Sequence, residues 1–219
     1  MNLHQAFRGA LKRFQTSPPI PDFNRAFQDG AIMPGNRVMA RRAVGVLDLP
    51  SGRLIACDPA LVEEPLFDAA LSPGQYPVIL SIANIKGDKR VVCAMLQVLA
   101  ETPTTWKPAL RAGDKPDSRP GYGVDSATGC FMDAQTAAIW HPDAPGFYER
   151  VTEQLEDGHS ETCCWGNVNF DTAQGQVNAV LFSSGYGDGF YRSYWGYSAG
   201  GDIACLVTDF GLLEGTIAL

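Results

Sequence analysis

Along residues 2–15, NLHQAFRGALKRFQ, the apolar side chains Leu3, Phe7, Ala10, Leu11 and Phe14 recur at three- and four-residue spacing. That spacing draws an apolar stripe along a helix, with Arg8, Lys12 and Arg13 beside it. The proline-rich SPPIP then stops it, which gives an N-terminal helical segment over residues 1–17. From Arg37 onward the pattern changes to short apolar runs. AVGVLDL and RLIACD read as two strands, and Pro50-Ser51-Gly52 between them has the turn chemistry of a hairpin. YPVILSIANI and RVVCAMLQVLA, separated by Lys86-Gly87-Asp88-Lys89, predict a second hairpin. Their nearly continuous apolar character implies that both of their faces are covered.

Residues 103–120 hold Pro103, Pro108, Gly113, Pro116 and Pro120 among several charges, so they are expected to be an exposed loop. The pattern resumes with YGVDSATGCF and then turns helical in MDAQTAAIW and in FYERVTEQLEDG, which is expected to end at Gly158. CWGNVNFD, QVNAVLFSS, FYRSYWGYS and DIACLVTDF return to strands. In SSGYGDGFYRSYWGY (Ser183–Tyr197) glycines supply a bend and aromatics alternate with small or polar residues, which predicts a hairpin with a half-buried second strand. The expected architecture is α+β and mainly antiparallel β: a layered sheet or sandwich with an N-terminal helix and a mid-chain helical segment. The second half alone carries too few apolar strands for its own core, so residues 1–219 are expected to form a single domain.

Charge changes this picture more than composition does. Residues 1–111 carry a net charge of +4 and residues 112–219 a net charge of −11, which together give the chain its −7. An acidic surface repels nucleic acid phosphates and attracts basic partners. No apolar run approaches the roughly 20 residues of a membrane span, and the N-terminus lacks the apolar core of a secretory signal, so a cytoplasmic location is expected. In that compartment the cysteines Cys57, Cys93, Cys130, Cys163, Cys164 and Cys205 are expected to be reduced, with Cys93 and Cys205 acting as small buried hydrophobes.

Candidate chemistry is sparse. The chain has no GxxxxGKS/T loop, no strand–GxGxxG–helix unit and no GxSxG elbow, and GYGDG reads as bend chemistry. His4 lies on the N-terminal segment; His141, His159, Cys163 and Cys164 lack metal-ligand spacing, so no metal or cofactor is expected. Two enzymatic arrangements remain as the alternative reading. One is a Cys130 nucleophile beside His141 or His159, its thiol activated at a helix start; the other is a cation site of Asp125, Asp133, Asp188 and Asp209, for which turn and capping roles are the plainer explanation.

LPSGRLIACDP (Leu49–Pro59), YGVDSATGCFMD (Tyr122–Asp133), NFDTAQGQVNAVLFSSGYGDGFYRSYWGY (Asn169–Tyr197) and LVTDF (Leu206–Phe210) resemble the bacterial family catalogued as domain of unknown function 4241. Some of its members resemble immunity proteins encoded beside type VI secretion or polymorphic toxins. The resemblance implies a protein that is not an enzyme and that binds and neutralises a cognate toxin domain, a nuclease such as a DNase among the candidates. A nuclease offers a positive surface to its substrate, so an acidic inhibitor is steered to it without itself binding nucleic acid or membrane. The residues expected to meet that partner are Asp114, Asp117 and Tyr122 around the 103–120 loop, with Asp125, and Tyr186, Asp188 and Tyr191 in the aromatic-rich stretch.

Overall fold

Strand-forming patterns dominate the structure as they do the sequence. The computed structural model describes residues 20–62, 66–115, 120–154, 162–173 and 175–213. The expected N-terminal helix, the helix end at Gly158, and His4, Asp117 and His159 lie outside them. A short helix α1 (Phe23–Ala26), capped by the Asp22 carboxylate, precedes β1 (Ile32–Met33), β2 (Arg37–Leu49), β3 (Leu54–Cys57), β4 (Gly74–Ile85) and β5 (Asp88–Gln97). Then come β6 (Thr105–Pro108), β7 (Tyr122–Val124), β8 (Thr128–Asp133), α2 (Ala134–Ile139) and α3 (Phe147–Gln154), and finally β9 (Trp165–Thr172), β10 (Gly175–Ser183), β11 (Gly189–Tyr197) and β12 (Ile203–Asp209).

All the strand pairs are antiparallel, in two sheets. The larger runs β1-β2-β4-β5-β12-β11-β6, with β7 also on β11, and the smaller runs β3-β8-β10-β9. The hairpin expected across Lys86–Lys89 is present as β4–β5. Two other hairpins are not, and the correction is topological. After Pro50-Ser51-Gly52 the chain leaves the larger sheet, where β2 pairs with β4, and enters the smaller one, where β3 pairs with β8. After Ser184–Asp188 it crosses back, because β10 pairs with β8 and β9 whereas β11 pairs with β12, β6 and β7. The 103–120 segment is also more than a loop: it is exposed over most of its described length, yet Thr105–Pro108 forms the edge strand β6.

Alternation assigns each strand face to a cluster. Val78, Leu80 and Ile82 of β4, Leu206 of β12 and Trp195 of β11 meet Leu54, Phe131, Val180 and Phe182 of the smaller sheet in one apolar cluster. The opposite face of the larger sheet packs Ala83, Val92, Tyr194 and Val207 against Phe23, Leu212 and Leu213. The opposite face of the smaller sheet packs Ile55, Met132 and Leu181 under Trp140, Phe147 and Val151 of the α2–α3 region. Strands covered on both faces need apolar residues at consecutive positions, which is why the runs in the sequence hardly alternate.

The open edge of β2 is closed by side chains. The Asn178 amide accepts from the Asp48 N–H at 2.8 Å and donates to the Val46 carbonyl at 2.7 Å, standing in for a neighbouring strand. Asn167 donates to the Val44 carbonyl at 3.3 Å, and a Cβ on Gly45 would lie 2.5 Å from its Oδ1 and displace the amide from this position. No helix among the described residues is long and apolar enough to cross a membrane.

Candidate functional site

Three of the residues expected to meet a partner, Asp125, Tyr186 and Asp188, are exposed at one corner, where the β7–β8 and β10–β11 turns meet. Its foundation is Asp58, just after β3 and fully buried. One carboxylate oxygen accepts from the Asp125 and Ser126 amides at 2.7 and 2.8 Å, the other from the Ser126 hydroxyl at 2.6 Å and the Ala60 amide at 2.7 Å. Four donors satisfy a carboxylate that burial would otherwise penalise, and they set the course of the β7–β8 turn. Ala127 then adopts φ 54°, its amide donating to Asp188 Oδ1 at 3.2 Å and its carbonyl accepting from the Ser184 amide at 3.1 Å. Asp125 and Asp188, far apart in sequence, thereby become exposed neighbours on coupled turns.

The β10–β11 turn is itself closed from below. The Gly187 amide donates to the Ser184 carbonyl at 2.7 Å, and the buried Tyr191 hydroxyl donates to the Gly187 carbonyl at 2.6 Å. Gly185 has φ 57°, and a Cβ there would lie 2.9 Å from Phe210 Cβ, so the turn sits directly on the core. Above it two rings face outward, Tyr186 at 62% exposure and Phe190 at 52%. The Arg90 guanidinium lies 5.3 Å from the centre of the Tyr186 ring, donates to the Gly185 carbonyl at 3.3 Å and pairs with Asp88 at 2.7 Å. Phe190 lies against Gly121, where a Cβ would fall 2.5 Å from its ring. The corner therefore offers two ordered aromatic surfaces with exposed carboxylates of Asp88, Asp125 and Asp188 around them. Exposed rings beside carboxylates have the chemistry to stack on apolar or cationic groups and to accept hydrogen bonds from cations.

Of the residues expected to touch a partner, Asp125, Tyr186 and Asp188 are brought together here. Tyr122 and Tyr191 are not available, because both are buried in the apolar cluster that the two sheets share. Burial pushes both phenols up, Tyr122 well above the ordinary tyrosine value. Asp114 is exposed but occupied locally, accepting from the Arg111 amide at 2.8 Å.

Among the described residues the enzymatic candidates do not gather into one site: Asp125, Asp188 and His141 are exposed, whereas Cys130, Asp133 and Asp209 are buried. Cys130 lies in β8, not at a helix start, and burial pushes its thiol well above the ordinary value, the reverse of an activated nucleophile. His141 is exposed. Asp133 is buried, caps α2 through the Gln135 amide at 2.7 Å and accepts from the Ser51 amide and hydroxyl at 3.0 and 2.7 Å. Asp209 is buried at the end of β12 and accepts from the Gly211 amide at 2.9 Å. Among the described residues no three His, Cys, Asp or Glu side chains are grouped to hold a metal ion. A separate groove of about 170 Å³ is lined by Phe23, Phe27, Arg41, Met95 and Trp106, and none of the expected site residues reaches it.

Sequence reasoning missed Asp58, Arg90 and Phe190. Asp58 had a signal, a carboxylate at the abrupt end of the apolar run LIAC. Arg90 and Phe190 had none, because their roles depend on turns brought together by the sheet crossings.

The model of a family described as a protein of unknown function (DUF4241) matches residues 47–208, a span that contains every residue of the corner. No curated protein and no solved structure matches the chain.

Proposed function

The chain belongs to the DUF4241 family, and on that premise we propose that it is an immunity protein, which binds a cognate toxin domain in the cytoplasm and neutralises it by direct contact. The observation that carries the reading is the pair of exposed rings, Tyr186 on the β10–β11 turn and Phe190 at the start of β11, on backbone held by Asp58, Ala127 and Tyr191. Exposed aromatics on ordered backbone lose little conformational freedom on binding, which is what an interface anchor requires. Asp88, Asp125 and Asp188 around them suit a basic partner, such as the substrate-facing surface of a nuclease. The scaffold is read as a layered sandwich of the two sheets, acting as one domain, and needs no catalytic group.

The test is protection. Cells producing the cognate toxin domain survive when the chain is co-produced, and the purified pair associates. Replacing both Tyr186 and Phe190 by Ser weakens that association about 30-fold or more, the loss expected when anchor residues are removed, while the circular dichroism spectrum stays unchanged. A folded double variant with undiminished affinity removes the corner from the interface. Absence of protection by the wild-type chain overturns the immunity reading itself.

A further inference from the structure

Cys57 of β3 and Cys130 of β8 stand directly opposite each other across an antiparallel pair. Their sulfurs are 3.5 Å apart, and both residues are fully buried. Directly opposed residues place their Cβ atoms about 4.5–5.5 Å apart, and a disulfide closes at about 3.5–4.5 Å. A small approach of two neighbouring strands therefore suffices. Cys93 and Cys205 lack this relation, since Cys93 opposes Asp209 and Cys205 opposes Gln97.

We propose that Cys57 and Cys130 are a modification site: a dithiol that a peroxide converts to a disulfide, stapling β3 to β8. One sulfur attacks a peroxide oxygen and becomes a sulfenic acid as the first water leaves. The second sulfur then displaces the hydroxyl of that sulfenic acid as the second water, which forms the S–S bond. Two thiols lose two electrons and two protons, and hydrogen peroxide is reduced to two molecules of water.

Access is set by the helical cover. The sulfurs lie in the cluster roofed by Trp140, Phe147 and Val151, and the Trp140 indole N–H fastens that roof to the Pro59 carbonyl at 2.8 Å. Burial also keeps Cys130 protonated, so the dithiol reacts during local opening of the α2–α3 region and more slowly than an exposed thiol would. The staple bears on the corner through Asp58, the residue after Cys57, which holds the turn at Asp125 and Ser126, five and four residues before Cys130. The pair closes a sequence separation of 73 residues, long enough for a cross-link to restrict the unfolded chain strongly.

The experiment exposes the folded full-length protein to hydrogen peroxide, blocks the remaining thiols and maps the peptides without reduction. The expected result is a linked pair of peptides carrying Cys57 and Cys130, released by dithiothreitol and absent from Cys57→Ser. The oxidised protein melts about 5 °C or more above the reduced one. The proposal is overturned if the two cysteines stay unlinked in protein that has remained folded, or link only in denaturant. An oxidised protein that melts no higher than the reduced form overturns the staple as well.

Discussion

Among the described strands the chain crosses between its sheets four times, and two of these crossings, Leu49–Leu54 and Ser183–Gly189, use similar residues to opposite ends. Both contain Ser and a glycine with positive φ, and both are tied to a distant element through an aspartate, the first by its Ser51 donating to Asp133 and the second by its own Asp188 accepting from the Ala127 amide. The first is turned inward. Gly52 is buried with its carbonyl accepting from the Leu71 amide at 2.9 Å, and the tying aspartate, Asp133, is buried too. The second is held from beneath by Ser184 and Tyr191, and it lifts Tyr186, Asp188 and Phe190 into solvent. A crossing needs only bend chemistry and satisfied backbone groups. The large rings left outside the second are what the proposed contact surface rests on.

The glycines give the sharpest way to break this contrast. A Cβ on Gly52, at φ +69°, would lie 2.1 Å from the Leu71 carbonyl oxygen, whereas a Cβ on Gly187, at φ +112°, would meet nothing nearer than 3.5 Å. Gly52→Ala forces backbone apart in a buried crossing and is expected to cost about 3 kcal/mol or more, or to prevent folding altogether. Gly187→Ala carries only the strain of its dihedral, about 1–2 kcal/mol. Urea denaturation of both variants checks the order. Equal losses would mean that the outer crossing is as tightly built as the inner one.

How much of this was legible in the sequence follows from the range of each interaction. The β4–β5 hairpin, the strand runs from Trp165 to Asp209 and the start of α2 at Asp133 depend on neighbours a few residues away, and the pattern gives them directly. The hairpins expected around Gly52 and Gly187 fail because turn chemistry specifies a bend, not which strand is met after it. That choice rests on distant partners such as Asn178 on the edge of β2 and Asp58 beneath the Asp125 turn. The same limit separated the tyrosines. Tyr122, Tyr186 and Tyr191 look alike in a glycine-rich sequence, and only the pairing of β7 with β11 puts two of them inside.

The aspartates extend the contrast at a smaller scale. Asp133 is buried and accepts three hydrogen bonds, joining the first crossing to α2, whereas exposed Asp188 accepts one at 3.2 Å. Asp133→Ala leaves the donors of Ser51 and Gln135 unsatisfied and is expected to cost about 2–3 kcal/mol. Asp188→Ala should stay within about 1 kcal/mol, because water replaces the lost acceptor at an exposed amide. Thermal denaturation of the two single variants measures the difference. A large loss at Asp188 would make it a structural residue and weaken its case as part of a contact surface.

The smallest effect separates the two roles within the outer crossing itself. Tyr191 closes the turn from below by donating its proton to the Gly187 carbonyl, so Tyr191→Phe removes one buried hydrogen bond and is expected to cost about 1 kcal/mol at neutral pH. Burial, chiefly, raises the Tyr191 phenol above the ordinary tyrosine value of 10.0. The unfolded chain therefore releases this proton at lower pH than the folded one. The stability it contributes is complete below the unfolded value and declines as pH rises past it toward the raised folded value. The gap between wild type and Tyr191→Phe should accordingly hold steady from neutrality to about pH 9 and narrow above about pH 10. Denaturant midpoints for the pair across that range read the effect. A gap that stays constant through the alkaline limb would show that the hydroxyl does not close the turn, leaving the Ser184–Gly187 contacts to hold the exposed rings in place.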